Sequence, residues 1–278
     1  MLPTQLFAFG FGYVAGELAR ILEAEGTPAA GTTRSAASAA PLRAKAREVH
    51  IWPGEDVTPA LDAAWLISVP PDENGCPVYR AFVSQACGAQ WIGYLSTTGV
   101  YGDLSGGWAF EETPVNPQSP EATNRARAEE QWLSAGAHVF RLPGIYGPGR
   151  SQLERVREPG ARRIVKPGQV FSRAHVSDIA AALRLAMMKR SATRVFNICD
   201  DEPAPSDEVL AYAARLLDLP APPAVAFEDA NLSPAAQRFY AECKRVSNAK
   251  AKAVLGWRPA FPTYREGLQD CLQRAAST

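Results

Sequence analysis

Gly10-Phe11-Gly12-Tyr13-Val14-Ala15 sets two glycines and an alanine at the spacing G-x-G-x-x-A. The motif follows a short apolar run, Leu6 to Phe9, and opens a segment in which Val14, Leu18, Ile21 and Leu22 recur at helical spacing. A strand that turns at once into a helix needs a permissive residue at Gly10. Gly12 lets backbone approach an anion with no Cβ between them, and Ala15 keeps the helix close to the sheet. The helix start then presents unpaired N–H groups to a pyrophosphate. Gly10, Phe11, Gly12, Tyr13 and Val14 are therefore expected to hold a dinucleotide. Among 21 glycines the spacing alone is a weak signal; the strand before it and the helix after it give it weight. The next apolar segment ends Thr33-Arg34, with Arg34 standing 22 positions beyond Gly12. A site for NAD carries an acid there for the ribose 2′-hydroxyl, whereas an arginine pairs with a 2′-phosphate and stacks on adenine. Thr33 and Arg34 thus point to NADP over NAD, the other reading being a solvated arginine on a surface loop.

Other chemistries find less support. Lys+Arg and Asp+Glu both number 29 in 278 residues, so the chain lacks the net positive charge of a nucleic-acid or anionic-membrane binder. Five cysteines, widely spaced and without C-x-x-C, read as reduced thiols of a cytoplasmic protein rather than a disulfide framework. His50, His138 and His175 lie far apart, so no metal site is expected. No apolar run is long enough to span a membrane. The amino terminus lacks a basic region before its apolar stretch, so no signal peptide is expected.

The elements that must carry the motif are legible as alternating short apolar runs and helical patterns. Strands are expected at Leu6–Phe9, Pro28–Thr33, Val49–Trp52, Trp65–Val69, Gln90–Leu95, Ala137–Leu142 and Val195–Cys199. Helices fall between them, with Tyr79, Phe82, Val83 and Cys87 on one and Arg125 to Leu133 on another. Single helices between strands mean right-handed βαβ crossovers and a parallel sheet covered on both faces. The expected fold class is α/β, a Rossmann-type doubly wound parallel sheet with a smaller mixed C-terminal substrate domain. Residues 1–149 with about 174–200 would form the NADP-binding part, and 150–173 with 201–278 the substrate region. Ser35 to Ala40 reads as a short Ser/Ala loop, 150–174 as basic and loop-like, and Ser206 as the N-cap of a helix reaching about Leu217.

Tyr94 to Asp103 (YLSTTGVYGD), Phe140 to Arg150 (FRLPGIYGPGR), Phe171 to Ile179 (FSRAHVSDI), Val195 to Pro203 and Lys244 to Gly256 occur in one order along the chain. Together they resemble the extended short-chain dehydrogenase/reductases, the nucleotide-sugar epimerase/dehydratase superfamily, from residue 6 to about 267. The resemblance implies that Ser68, Val69, Pro70 and Ser96 lie along the cofactor groove and that Pro143, Gly144 and Ile145 meet the nicotinamide. It puts Thr97 in the place of the active-site hydroxyl, and Tyr146, Arg150, Lys166 and Arg173 where substrate contacts arise. The chain departs from the family at the Tyr-x-x-x-Lys pair, whose tyrosine shuttles the proton and whose lysine lowers the phenol's pKa. One register places Glu121 and Arg125 there, another Thr123 and Arg127, and no Tyr or Lys occurs from Gly102 through Ile145. Arg125 could hold the ribose, but a guanidinium does not titrate. Tyr101 and Tyr146 are the nearest substitutes as proton donor, with Thr97 orienting the substrate; Glu121 would serve only if strongly desolvated. The expected function is an NADP(H)-dependent oxidoreductase or epimerase acting on a small polar, sugar-like or phosphorylated molecule, as monomer or homodimer, without nucleic-acid or membrane partners. The alternative is a cofactor-binding sensor or scaffold without turnover.

Overall fold

Leu6 and Ala8 of strand β1 (Leu6–Phe9) enter one hydrophobic core, and Phe7 and Phe9 enter another. A strand buried on both faces belongs inside a parallel sheet with helices on either side. The computed structural model describes residues 2–44, 47–60, 62–189 and 191–276. β1 lies within a seven-stranded sheet with β2 (Ala29–Thr33), β3 (Glu48–Ile51), β4 (Ala64–Ile67) and β5 (Trp91–Thr97). The two-residue β6 (Trp108–Ala109) stands outside it, and β7 (His138–Leu142) rejoins. Short β8 (Gly144–Tyr146), β9 (Arg163–Val165) and β10 (Arg173–His175) precede β11 (Val195–Asn197), the last strand of the large sheet. Its order is β11-β7-β5-β4-β1-β2-β3, every pairing parallel. The order in which strands are added reverses between β1 and β4, and in such sheets ligands bind in the crevice outside the carboxyl ends of the strands at that point.

Helices α1 (Tyr13–Ala24), α2 (Ala36–Arg43), α3 (Pro77–Ala86), α4 (Pro120–Ser134), α5 (Gln152–Arg157) and α6 (Val176–Lys189) follow in chain order. α1 and α6 bury Val14, Leu18, Leu22, Ile179 and Leu183 on one face of the sheet, about 1.5–3 kcal/mol for each large aliphatic side chain. α3 and α4 cover the other face with Val78, Phe82, Ala128 and Trp132. The carboxy-terminal part adds α7 (Ser206–Leu216), β12 (Ala224–Ala226), α8 (Pro234–Ala241), β13 (Arg245–Val246), α9 (Ala249–Leu255) and α10 (Tyr264–Ala276). α5, α7 and α10 share a separate cluster that includes Tyr146, Leu153, Val209, Ala213 and Leu268. Two-stranded pairs β8–β10, β9–β12 and β6–β13 lace it to the loops at the carboxyl ends of the large sheet.

Four local expectations change. Ser35 to Ala40 is the start of α2: Ser35 accepts from Ser38 N, and four alanines favour the helix over a loop. The basic stretch after Arg150 contains α5, opened by a capping box in which Ser151 and Glu154 satisfy each other's backbone donors. Ser206 is the first residue of α7 rather than its cap, a place Pro205 holds without a side-chain bond. α8, unanticipated in the sequence, is started by Ser233, which accepts from Ala236 N, and by Pro234.

Candidate active site

The glycine turn connects β1 to α1. Gly10 has φ +83°, and a Cβ there would stand 3.2 Å from the Val69 amide nitrogen, so only glycine fits between β1 and the Ser68–Val69 segment. Its N–H donates to Thr32 Oγ1 (3.0 Å), and Phe11 N–H to the Thr32 carbonyl (2.7 Å). Those two amides are therefore committed internally, contrary to an anion-binding role for them. α1 has no side-chain cap, and the Gly16 N–H is bonded back to Gly12 O. The N–H groups of Tyr13, Val14 and Ala15 form the open end. Gly12, in contrast to Gly10, meets nothing closer than its neighbour Gly10 O at 3.9 Å. A tight turn, an uncapped helix and clear space at Gly12 fit a dinucleotide pyrophosphate.

The residues around this turn divide into packing and surface. The Phe11 ring is buried against Gly31 with Arg47 over its face at 5.2 Å, so its side chain packs rather than contacts a ligand. Tyr13 reaches across to donate to Pro148 O (2.9 Å), and the Arg150 guanidinium lies 5.8 Å over its ring. The loop after β8 is thereby folded over the start of α1. Thr33 is buried and Arg34 exposed immediately beyond the end of β2. Ser68, Val69 and Pro70 line the other side of the turn, half-buried to exposed.

At the end of β5, adjacent residues go opposite ways. Thr97 lines a cleft and its hydroxyl accepts from Gly99 N (3.1 Å). Ser96 is buried beneath and donates to Glu129 Oε1 (2.5 Å), which removes it from the groove. Glu129 also receives Arg141 through Nε (3.1 Å) and Nη2 (2.7 Å). Arg141 Nη1 donates to Tyr101 Oη (3.0 Å), whose own proton goes to Asn197 Oδ1 (2.8 Å). The Tyr101 ring is fully buried under the Arg141 guanidinium at 4.8 Å. Burial raises the phenol's pKa against the pull of Arg141. Tyr101 is thus a structural tyrosine and is corrected as a proton donor. The Ser96–Glu129–Arg141–Tyr101–Asn197 chain, built from strands β5, β7 and β11, helix α4 and the turn that follows β5, was not foreseen.

Neither register of α4 supplies a relay. Arg125 Nη1 donates to Leu95 O (3.0 Å) and Tyr94 Oη (3.1 Å), fastening the helix to β5. Glu121 is exposed and faces Arg238 at 3.8 Å. Thr123 turns its hydroxyl back to Ser119 O (3.0 Å), and Arg127 is exposed.

The cleft, about 900 Å³, opens between the ends of β5 and β7 and helices α5, α7 and α8. It brings together Thr97, Pro143, Gly144, Ile145, Arg150 and Arg173. Tyr146 lines it with its ring only. The hydroxyl is sealed against Gly267 of α10 without a hydrogen-bond partner among the described residues, and burial raises its pKa. Arg173 is buried and held by the carbonyls of Phe171 (2.8 Å) and Ala204 (2.9 Å). Beside it, burial pushes the Asp200 carboxyl up to about 8, against the pull of Arg173. Lys166 is corrected as a substrate contact: its ammonium binds Tyr240 O and the Phe227 ring, away from the cleft. In its stead the cleft has Lys244, paired with Glu242 and donating to Gly102 O (2.7 Å), together with Arg155 and Arg238. The Ser151–Glu154 spacing was the sequence signal for α5 and hence for Arg155; nothing comparable marked Arg238. Phe171 and Phe239 stack at 4.4 Å along the same cleft.

Among the described residues no group of three or more His, Cys, Asp or Glu side chains could hold a metal ion, and no helix is long and apolar enough to cross a membrane. No family model matches the chain. A functionally unknown conserved protein from Silicibacter pomeroyi is 45% identical over 98% of this chain and 99% of its own, with a TM-score of 0.92. A putative NAD-dependent epimerase/dehydratase from Methylobacillus flagellatus is 25% identical over 99% of this chain and all of its own, with a TM-score of 0.69. Among curated proteins, a Streptomyces 3-diazoavenalumate denitrifying reductase is 31% identical over 180 residues, 57% of each chain. This chain therefore spans a little over half of that reductase's length.

Proposed function

We propose that this chain, which belongs to the extended short-chain dehydrogenase/reductase superfamily of epimerase/dehydratase-like proteins, is an NADP(H)-dependent reductase of a small anionic substrate. The uncapped start of α1 beyond the Gly10 turn carries the reading, because it lies at the reversal of the strand order, where this fold binds dinucleotides. When bound there, NADPH supplies a hydride. The chain's own residues would do the rest. Tyr13, Val14 and Ala15 offer backbone N–H groups to the pyrophosphate, Arg34 meets the 2′-phosphate, and Pro143 to Ile145 back the nicotinamide. Arg125 orients the ribose from its anchor on β5. Thr97 fixes the substrate by a hydrogen bond, and Arg150, Arg155 and Arg173 attract its anionic part. Catalysis rests mainly on positioning. Residues 1–149 with about 174–200 hold the cofactor in this reading, and 150–173 with 201–278 the substrate. The reductase name of the Streptomyces relative supports hydride transfer to a substrate over epimerisation.

A second reading, a sensor that binds NADP(H) without turnover, draws on the Tyr101 network and the missing Tyr/Lys pair. Fluorescence titration separates coenzyme claims from catalytic ones. NADPH is expected to bind more tightly than NADH, and Arg34→Glu to weaken NADPH at least about tenfold while sparing NADH, the loss of one charge-assisted phosphate contact. Equal affinity of the wild-type protein for both coenzymes would refute the assignment of Arg34. Binding with no substrate turned over would favour the sensor.

A further inference from the structure

Between β8 and α5 the chain holds one exposed arginine, Arg150, with its backbone fixed on both sides. Gly147 and Arg150 exchange both backbone hydrogen bonds (3.1 and 3.0 Å), closing a turn with Pro148 second and Gly149, at φ +73°, third. The next residue, Ser151, caps α5 and is itself held by Glu154. The turn is seated on Tyr13. Its phenol donates to Pro148 O (2.9 Å), and a Cβ at Gly147 would stand 2.5 Å from Tyr13 Oη, so glycine lets the loop descend this far. The Arg150 guanidinium lies 5.8 Å over the Tyr13 ring, without an ion pair or side-chain hydrogen bond among the described residues, and it also lines the cleft. Tyr13 is the first residue of α1, so its backbone N–H belongs to the open end of that helix. One residue thus carries an amide donor for the dinucleotide and, over its ring, a cation from the loop after β8. Two other arginines at α1 are already neutralised, Arg20 by Glu17 (2.8 Å) and Arg47 by Glu23 (2.7 Å).

We infer that Arg150 is a ligand of the coenzyme's diphosphate and that Tyr13 is the residue that positions it there. The inference rests on the coenzyme reading above and gives Arg150 a partner in addition to the substrate's anion. A helix start offers the diphosphate only partial positive charge, about half a unit, whereas the group it faces is a dianion. A guanidinium supplies a full charge, in a planar fork of N–H donors that matches phosphate oxygens in pairs. The Tyr13–Pro148 bond sets the height of the turn over α1, and the stack on the ring sets the direction of the guanidinium. Arg150 therefore stands at the boundary of the two sites and closes the coenzyme groove from the substrate side.

The test uses the full chain and reads affinity rather than turnover, by fluorescence for NADPH and NADH and by calorimetry for ADP-ribose. ADP-ribose keeps the diphosphate and lacks both the nicotinamide and the 2′-phosphate. Arg150→Ala is expected to weaken all three at least about tenfold, the loss of one charge-assisted contact. Arg157→Ala removes an equal charge from α5 outside the cleft and should leave ADP-ribose within about twofold. Tyr13→Phe keeps the ring and loses the bond to Pro148 O. It should weaken NADPH about threefold or more, and should add nothing beyond about twofold in the Arg150→Ala background. If wild-type protein binds NADPH and ADP-ribose and Arg150→Ala leaves both unchanged, the inference falls and the coenzyme reading stands. Weakened NADPH with unchanged ADP-ribose would move the contact to the nicotinamide end and overturn the diphosphate assignment, as would an equal loss in Arg157→Ala. If Tyr13→Phe costs as much without Arg150 as with it, Tyr13 does not act through the arginine. If the wild-type protein binds no dinucleotide, both readings fall.

Discussion

Replacing Arg141 by leucine removes the centre of the buried network and gives the sharpest test of it. The guanidinium and its partner Glu129 have side-chain exposures of 5% and 3%. Without Arg141, the Glu129 carboxylate keeps only the Ser96 hydroxyl, and Tyr101 Oη loses a donor. Breaking one side of a buried ion pair costs about 3–5 kcal/mol, because the remaining charge stays away from water. For a domain of this size that lowers Tm by roughly 6–20 °C, at about 2–4 °C per kcal/mol. The double variant Arg141→Leu/Glu129→Leu removes both charges and should recover at least half of the loss, since buried pairs are often replaceable by apolar ones. Arg80→Leu, at the exposed Arg80–Asp72 pair, is the control and should leave the midpoint nearly unchanged. Urea unfolding followed by tryptophan fluorescence measures all three. If Arg141→Leu costs no more than Arg80→Leu, or if the double variant is no better than the single one, the ion pair does not hold helix α4 to β7.

Two further outcomes follow from local geometry. Gly10→Ala must hold a left-handed backbone at φ +83° with a Cβ 3.2–3.3 Å from the Ser68–Val69 backbone; a loss of about 1–3 kcal/mol in urea and weaker NADPH binding are expected, and unchanged values for both would contradict the close approach. Asp200 has a folded pKa of about 8, above its unfolded value, so the folded state binds the extra proton, and stability falls as pH rises from about 4 to about 8, by at most about 1.4 kcal/mol per pH unit. His175, lowered to about 4 by burial, contributes the opposite slope up to about pH 6.5, where the unfolded state binds the extra proton; Asp178, raised to about 6, offsets it. From about pH 6.5 to 8 the decline is therefore that of Asp200 alone and should vanish in Asp200→Asn, and a decline that persists there in that variant would assign it to another group.

What could be read from the sequence was what neighbours in sequence decide. The Gly10 turn, the two-sided strands and the amphipathic face of α1 depend on residues within a few positions of each other, and they stand where periodicity puts them. α5 was equally local, since Ser151 and Glu154 announce their capping box, but the density of arginines around them reads as loop. α8 was harder, because eight residues make little more than two turns. The tyrosines were not local at all. Tyr101 lies four residues after Thr97 in a loop that the family uses for chemistry, and on that basis it looks like a reagent. Its partners Arg141 and Asn197 stand 40 and 96 residues away, and no pattern along the chain reports that pairing. Lys166 was misplaced for the same reason, its acceptor Tyr240 O being 74 residues on. A phenol is chemically the same in either setting, and what separates a proton donor from a brace is whether water and substrate can reach its oxygen. Here an arginine lies over the Tyr101 ring and an asparagine takes its proton, and these two contacts, neither of them visible in the loop's own sequence, withdraw it from the cleft that Thr97 still faces.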